Sequence, residues 1–325
     1  MITLRFGADA LAHLRFAISP LLETIRSVRV LDDPAGQALH LPWVINARRL
    51  AATFDLDVLR ALQPTDAYSP DFLHPPPLSP LVEFEEEVER MAATPPEQVR
   101  HEIERSYAGR PLPAALEPFV ERPGQATRTL AALLREYWQL TLASHWPRIR
   151  ALLQGDVLYR SRQIADGGTE QLFGDLHPSV TWEDGTLRVD KAAEGSLDLD
   201  SRGLLLVPSV FVWPVVSALM DPAWQPALVY PARGVGMLWE PTEVAAPEAL
   251  AALLGSRRAA VLLSLDQPRS TAELARLLDV PDSSVSQHLA VLREAGLITG
   301  HRVGRVVLYL RSAAGEALVR ANTTI

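Results

Sequence analysis

Cysteine is absent from all 325 residues. That one absence removes disulfides, thiolate metal sites and cysteine nucleophiles together, and it fits a protein of the cytoplasm. Lysine is nearly missing too: Lys191 stands alone among 31 basic residues. So heavy an arginine usage reads as genome composition rather than function. Long apolar runs are lacking as well. The opening MITLRFGADALAHLRF carries Arg5 and Asp9 and holds no apolar stretch of signal-peptide length. LLLVPSVFVWPVVSALM, residues 204–220, falls short of the ~20 residues a bilayer needs, and Pro208 and Pro214 interrupt it. It reads as a buried strand followed by a core segment, so no membrane association is expected.

Signatures of catalysis are missing in the same way. HEIER (101–105) has no second histidine at the spacing a zinc helix needs, and GVG (234–236) has no third glycine for a nucleotide loop. Neither a Gly-x-Ser-x-Gly elbow nor a phosphate-binding loop occurs. The eight histidines are scattered without a pair at ligand spacing, and the carboxylate run EFEEEVER (83–90) reads as a solvated helix face. The expectation is therefore no enzyme, no catalytic residue, no metal and no cofactor.

What is present is an ordinary globular composition, 48% hydrophobic and 22% charged, able to bury a full core. At roughly 150 residues per domain the length predicts two domains. The net charge of −8 is unevenly spread: from Ser256 onward nine arginines face six acids, a local +3, so the preceding residues carry −11. A basic module attached to an acidic one is the asymmetry that suits phosphate attraction.

The pattern along the chain predicts an α+β fold, with a mainly helical N-terminal domain over 1–240 bearing a small antiparallel sheet. A C-terminal winged helix-turn-helix follows over 247–325. PLLETIRSVRVL (20–31) places Leu21, Ile25, Val28 and Leu31 near one helical face. PLVEFEEEVERMA (80–92) and the strongly amphipathic TLAALLREYWQLTLASHW (129–146) read as helices, the latter ended or kinked by Pro147. GDVLYRSRQIADGGTEQLF (155–173) reads as helix broken at Gly167–Gly168. SVTWEDGTLRVD (179–190) predicts a hairpin turning at Asp184–Gly185, GSLDLDSRGLLLVPS (195–209) a second hairpin, and ALVYPA (227–232) a fifth strand. RGVGMLWEPTEVAAP (233–247) is the best linker.

After the helical run 249–265, Ser270 stands three residues ahead of Glu273, a capping box that fixes a helix start. Pro281–Asp282 supplies a turn, and SSVSQHLAVLREAG stops at Gly296, the residue suited to a C′ cap. Two short helices so joined make a helix-turn-helix. At about 100° per residue, Val285, Leu289 and Leu292 share one narrow arc. Ser283, Ser286, Gln287 and Ala290 lie opposite, and His288 sits at the flank. Small polar groups suit entry into a major groove of ~12 Å. Gln287 can pair with an adenine edge, Ala290 can touch a thymine methyl, and His288 is better placed to orient or to contact backbone. LITGHRVGRVVLYLR (297–311) reads as a two-stranded wing with Arg302 and Arg305 at its tip. The predicted DNA-contacting residues are Ser283, Ser284, Ser286, Gln287, His288, Arg302 and Arg305, with Thr271 and Arg293 as further phosphate contacts.

TAELARLLDVPDSSVSQHLAVLREAGLITGHRVGRVVLYLR resembles the winged helix of ArsR/SmtB-type bacterial regulators, most specifically in the SxVSQHLxVLxxAGL run and the basic wing. The resemblance covers about 75 residues. It implies a homodimeric transcription factor, usually a repressor, dimerising through helices that flank the reading unit, here 248–265 and 312–321. It also implies where metal ligands would stand. Leu274, Ala275 and Arg276 occupy the first such site, and AAGEALVRANTTI contains no histidine for the second, so metal sensing through either is not expected. RFAISPLLETIRSVRVL is similar to the opening of a poorly characterised domain that precedes such modules in some high-GC bacterial regulators, and it brings no activity with it.

A small-molecule effector would enter through the N-terminal domain. Its aromatics Trp138, Phe211, Trp213, Trp224, Tyr230 and Trp239 are core builders on one reading and the lining of an apolar ligand pocket on the other. The expected partners are double-stranded DNA, a second copy of the chain and such an effector. Two rivals stand beside this reading. One is an enzyme with an attached DNA-binding head, which requires a pocket of convergent polar residues. The other is a regulator whose N-terminal domain is only a dimerisation or docking scaffold.

Overall fold

ITLRF alternates apolar and polar side chains, and in the computed structural model it forms a strand, β1 (Ile2–Phe6), with Ile2 and Leu4 buried. A strand at the start of the predominantly helical stretch is a correction to the sequence reading. The structure describes residues 1–33, 38–52, 54–64, 67–191, 194–239, 248–266, 268–303 and 306–323. The chain divides into two compact units, Met1–Glu240 and Pro241–Ile325. Residues 240–247, much of the expected linker, lie outside the described residues.

The remaining strands of the first unit are β2 (Arg15–Phe16), β3 (Val180–Glu183), β4 (Thr186–Val189), β5 (Gly195–Leu199), β6 (Leu205–Ser209), β7 (Ser217–Leu219) and β8 (Ala227–Pro231). They make two sheets, ordered β3-β4-β1-β5 and β2-β6-β8-β7. The first hairpin forms as predicted: Asp184 and Gly185 have φ of 47° and 73°, the left-handed pair a two-residue turn needs. The second does not. β5 runs parallel beside β1, whereas β6 lies parallel between β2 and β8. Their burial explains the parting: β5 alternates as an edge strand does, while β6 and β8 are buried at all five positions, as central strands are. Mixed parallel pairing thus replaces the single antiparallel sheet, within the expected α+β class.

Helix Pro20–Asp32 runs through the helical core. Ser19 caps it by accepting from the Leu22 amide, and Pro20 occupies its first turn. The apolar face read from the sequence is buried, and so are Glu23, Thr24, Arg26 and Ser27. The predicted helix at 80–92 spans Phe84–Ala92. The amphipathic run extends from Pro123 to Thr141, and Pro147 opens the next helix, Trp146–Gly174, rather than ending this one. That long helix is interrupted at Gly167 and Gly168, as expected. Leu21, Ile25, Leu59, Met91, Ile103 and Leu134 belong to the helical core, and Ile2, Leu4, Phe173, Leu187, Leu206 and Tyr230 to a second one against the sheets. Among the described residues no helix is long and apolar enough to cross a membrane, and 204–220 holds β6 and β7.

The second unit packs helices Glu248–Leu254, Ser256–Leu263, Thr271–Leu278, Asp282–Glu294 and Ala313–Thr323 with a sheet ordered β10-β11-β9. These strands are β9 (Arg269–Ser270), β10 (Ile298–Val303) and β11 (Val306–Arg311). The capping box is present in both directions: Ser270 Oγ accepts from the Glu273 amide at 3.3 Å, and the Ser270 amide donates to Glu273 Oε2 at 2.7 Å. Ser270→Ala should therefore destabilise this unit by about 1 kcal/mol, seen as an earlier loss of far-ultraviolet circular dichroism in urea.

Candidate nucleic-acid interface

The helix Asp282–Glu294 is set by its neighbours on both sides. Asp279 takes a left-handed conformation (φ 50°) that ends the preceding helix, and Val280 N–H returns to the Ala275 carbonyl. Pro281 then starts the new helix from an extended position, and Gly296 (φ 71°) terminates it. Val285, Leu289 and Leu292 are at most 1% exposed, locked against Leu250, Leu262, Leu274 and Ile298.

The opposite face is open. Ser283, Ser286, Gln287 and Ala290 are exposed, and Ser284 and His288 half-buried. No described residue hydrogen-bonds to the side chain of Ser283, Ser286, Gln287 or His288. Small hydroxyls and one amide beyond a rigid buried seam are the chemistry that reads base edges. Thr271 is half-buried in the first turn of the preceding helix, and Arg293 is exposed in the last turn of this one. Arg302 is exposed on β10, opposite Val307 of β11. Arg305 lies outside the described residues.

The sequence reading missed the side chains that support this helix and wing. Arg311 donates from Nε to the Leu262 carbonyl (2.9 Å) and from Nη2 to that of Leu263 (2.7 Å), satisfying orphan acceptors at a helix end. Arg269 Nε does the same for Ser264 at 2.8 Å. Two of the nine arginines behind the local positive charge are thus spent on holding β9 and β11 to the helices. Their positions beside Ser270 and Ser312, both at helix starts, were the only signal of this.

The six aromatics nominated in the first unit do not share one cavity. Trp138 stacks on Phe84 at 4.5 Å and meets Trp146 edge-on at 5.4 Å. Phe211 and Trp239 do come together, around His40: the Trp239 indole donates to His40 Nδ1 (3.0 Å), while His40 Nε2 lies 3.0 Å from the Val210 carbonyl. Burial pushes the His40 imidazole down to about 4. Trp224 donates to Glu102 Oε1 at 2.7 Å, and the buried Tyr230 donates to Asp156 Oδ2 at 2.8 Å. Trp213, 41% exposed, lines a cavity of about 540 Å³ with Arg160, His177 and Arg233.

Residues 253–301 match a helix-turn-helix domain family, and residues 109–236 match a family of unknown function, DUF5937. The chain is similar to the HTH-type transcriptional repressor SmtB of Mycobacterium tuberculosis, in strains CDC 1551 / Oshkosh and ATCC 25618 / H37Rv. It is 48% identical to each over 66 residues, 20% of this chain and 49% of the relative. The chain therefore spans about half the length of the curated relatives it matches. Its second unit carries a helix-turn-helix domain similar in sequence to part of the SmtB repressor.

Proposed function

We propose that the chain is a sequence-specific DNA-binding transcriptional regulator, a homodimeric repressor of the cytoplasm. Residues 247–325 read DNA, and 1–240 sense a signal or assemble the dimer. One observation carries this reading: on helix Asp282–Glu294, buried Val285, Leu289 and Leu292 stand opposite the exposed Ser283, Ser286 and Gln287. A helix built this way presents an inflexible polar face to a groove. The likeness to a transcriptional repressor over the same segment supports it. Ser283, Ser284, Ser286, Gln287 and His288 face the DNA, Arg302 and Arg305 hold the wing to phosphate or minor groove, and Thr271 and Arg293 add phosphate contacts.

Selection from random duplexes tests the reading, and failure to enrich any site would sink it. With the enriched duplex in hand, Gln287→Ala should cost about 1–3 kcal/mol and relax preference at a single base pair. The double change Arg302→Ala with Arg305→Ala should weaken all duplexes alike and reduce the slope of log affinity against log salt by about 2. Unchanged affinity and slope in the double variant would remove the wing from the interface.

A further inference from the structure

We infer that the cavity bounded by Arg160, Arg233, His177 and Trp213 in the N-terminal unit is a binding site for a small carboxylate with an aromatic or apolar body. Its role as an effector site rests on the regulator reading, whereas binding itself does not. The volume of about 540 Å³ falls within the ~300–1,000 Å³ common to small-molecule sites. Leu39, Leu176, Trp213, Pro231 and Val235 give it apolar walls.

Its polar side is cationic. Arg160 is 2% exposed, and its Nη1 serves Asp175 Oδ2 (3.0 Å), the Asp175 carbonyl (2.9 Å) and Gln163 Oε1 (3.0 Å). Its Nε has no hydrogen-bond partner, and Asp156 Oδ1 stands 3.9 Å away. Asp156 is already committed, taking the Tyr230 hydroxyl on Oδ2 and the Arg233 amide on Oδ1 at 3.1 Å. Burial raises its carboxyl above the ordinary range, against these bonds and the nearby arginine charges.

Arg233 is the second cation. Its guanidinium carbon lies over the Tyr159 ring, 3.6 Å from the centroid, and no described residue forms an ion pair with it. Stacking leaves the in-plane N–H edges available to a planar carboxylate. Asp175 is the carboxylate lining the cavity, and three donors occupy it: Arg160, Gln163 Nε2 (2.9 Å) and the Tyr159 hydroxyl (3.1 Å). Burial alone would raise Asp175, but these bonds and the arginine charges hold it below its usual value. The cavity thus offers the Arg233 guanidinium, beside an Arg160–Asp175 pair that is already formed. Catalysis is a poorer fit, because both Asp156 oxygens serve the fold.

The walls are set in place. The Ser179 amide donates to His177 Nδ1 (3.1 Å), so His177 Nε2 carries the proton shared with the Pro214 carbonyl at 3.0 Å. That bond ties the segment bearing Trp213 to the loop ahead of β3. Another wall is Ala232–Gly236, the segment that follows β8.

The test uses the full chain without DNA, following tryptophan fluorescence and calorimetry with benzoate, salicylate and phenylacetate. Neutral benzamide and inorganic phosphate are the controls. At least one aromatic carboxylate should saturate the protein and bind ten-fold or more tighter than benzamide. Arg233→Met, at an exposed position, should weaken it at least ten-fold with the circular dichroism unchanged. Should that variant not fold, Trp213→Leu is the second, with at least a three-fold loss expected. No saturable binding by the three acids, equal binding of benzamide, binding of phosphate alone, or full affinity in the folded variant would each overturn the assignment. None of these readouts involves DNA, so they separate from the duplex selection.

Discussion

Leu289→Ala will unfold the C-terminal unit at a markedly lower denaturant concentration and leave the N-terminal transition where it was. Leu289 is 1% exposed and sits among Leu250, Leu262, Leu274, Val285, Leu292 and Ile298. Truncating a leucine in such surroundings removes its transfer energy and leaves a cavity, at a cost of about 3 kcal/mol. A unit of this size is stable by only ~5–10 kcal/mol, so the loss is a large share. The readout is built into the sequence. All seven tryptophans lie in the first unit, so their fluorescence follows that unit alone. Affinity for the selected duplex and the loss of helical circular dichroism follow the second. A tryptophan-detected midpoint that moves with Leu289→Ala would show that the units unfold together and defeat the prediction.

The same contrast between units explains what could be read from the sequence. In the second unit every local signal pointed one way: Ser270 with Glu273, the Pro281–Asp282 turn, the arc of Val285, Leu289 and Leu292, and the stop at Gly296. Local agreement of that kind specifies helices and turns without knowledge of distant partners. The wing followed from two alternating runs, although its tip residue Arg305 lies outside the described residues. The first unit resisted because its sheets are assembled from far apart. β1 pairs with β4 and β5, with Ile2 opposite Val189 and Gly195. Nothing near Ile2 announces such a partner. Asp200–Gly203 did mark a turn, but a turn signal does not say which sheet the chain enters next. Only the change from an alternating to a fully apolar pattern between β5 and β6 hinted that they would part.

The cavity residues were hidden for a related reason. Arg160 lies on the long helix, yet Trp213 and Arg233 come from the segments after β6 and β8. The aromatic pattern singles out Trp213 and Tyr230, while the arginines beside them read only as genome composition. Composition showed an acidic N-terminal part, and a local cationic cavity within an acidic domain is invisible to a sum of charges. The expectation of an apolar pocket therefore becomes the proposal of a mixed one, with Trp213 kept and the Arg233 guanidinium added.

Raising the pH from 6.5 to 8 will destabilise the N-terminal unit. Burial pushes the Glu23 carboxyl up to about 8 and those of Asp71 and Glu87 up to about 7. Glu23 also accepts from the Val210 and Phe211 amides and Glu87 from the Leu21 amide, which opposes the rise without cancelling it. The neighbouring Glu102 raises Asp71 further. Asp71 Oδ2 and Glu87 Oε1 are buried without a hydrogen-bond donor, as a neutral carboxyl tolerates better than an ionised one. Since the folded values exceed the unfolded ones, the folded chain keeps protons that the unfolded chain has lost. The stability these groups contribute is complete below the unfolded values and disappears as the pH rises through 7 to 8. His40 and His74 act in the opposite sense, lowered by burial to about 4 and about 3. Their contribution is present above about pH 6.5 and lost below it, so they drop out of this window. The carboxyls then set the sign. One group's full slope is about 1.4 kcal/mol per pH unit, which lowers the tryptophan-detected midpoint by roughly 3–5 °C in a unit of this size. Glu23→Gln cannot titrate, so it should flatten the fall near pH 8 most. A wild-type midpoint that holds steady or rises from pH 6.5 to 8 would mean these carboxyls are already ionised in the fold, and that burial is offset by their donors.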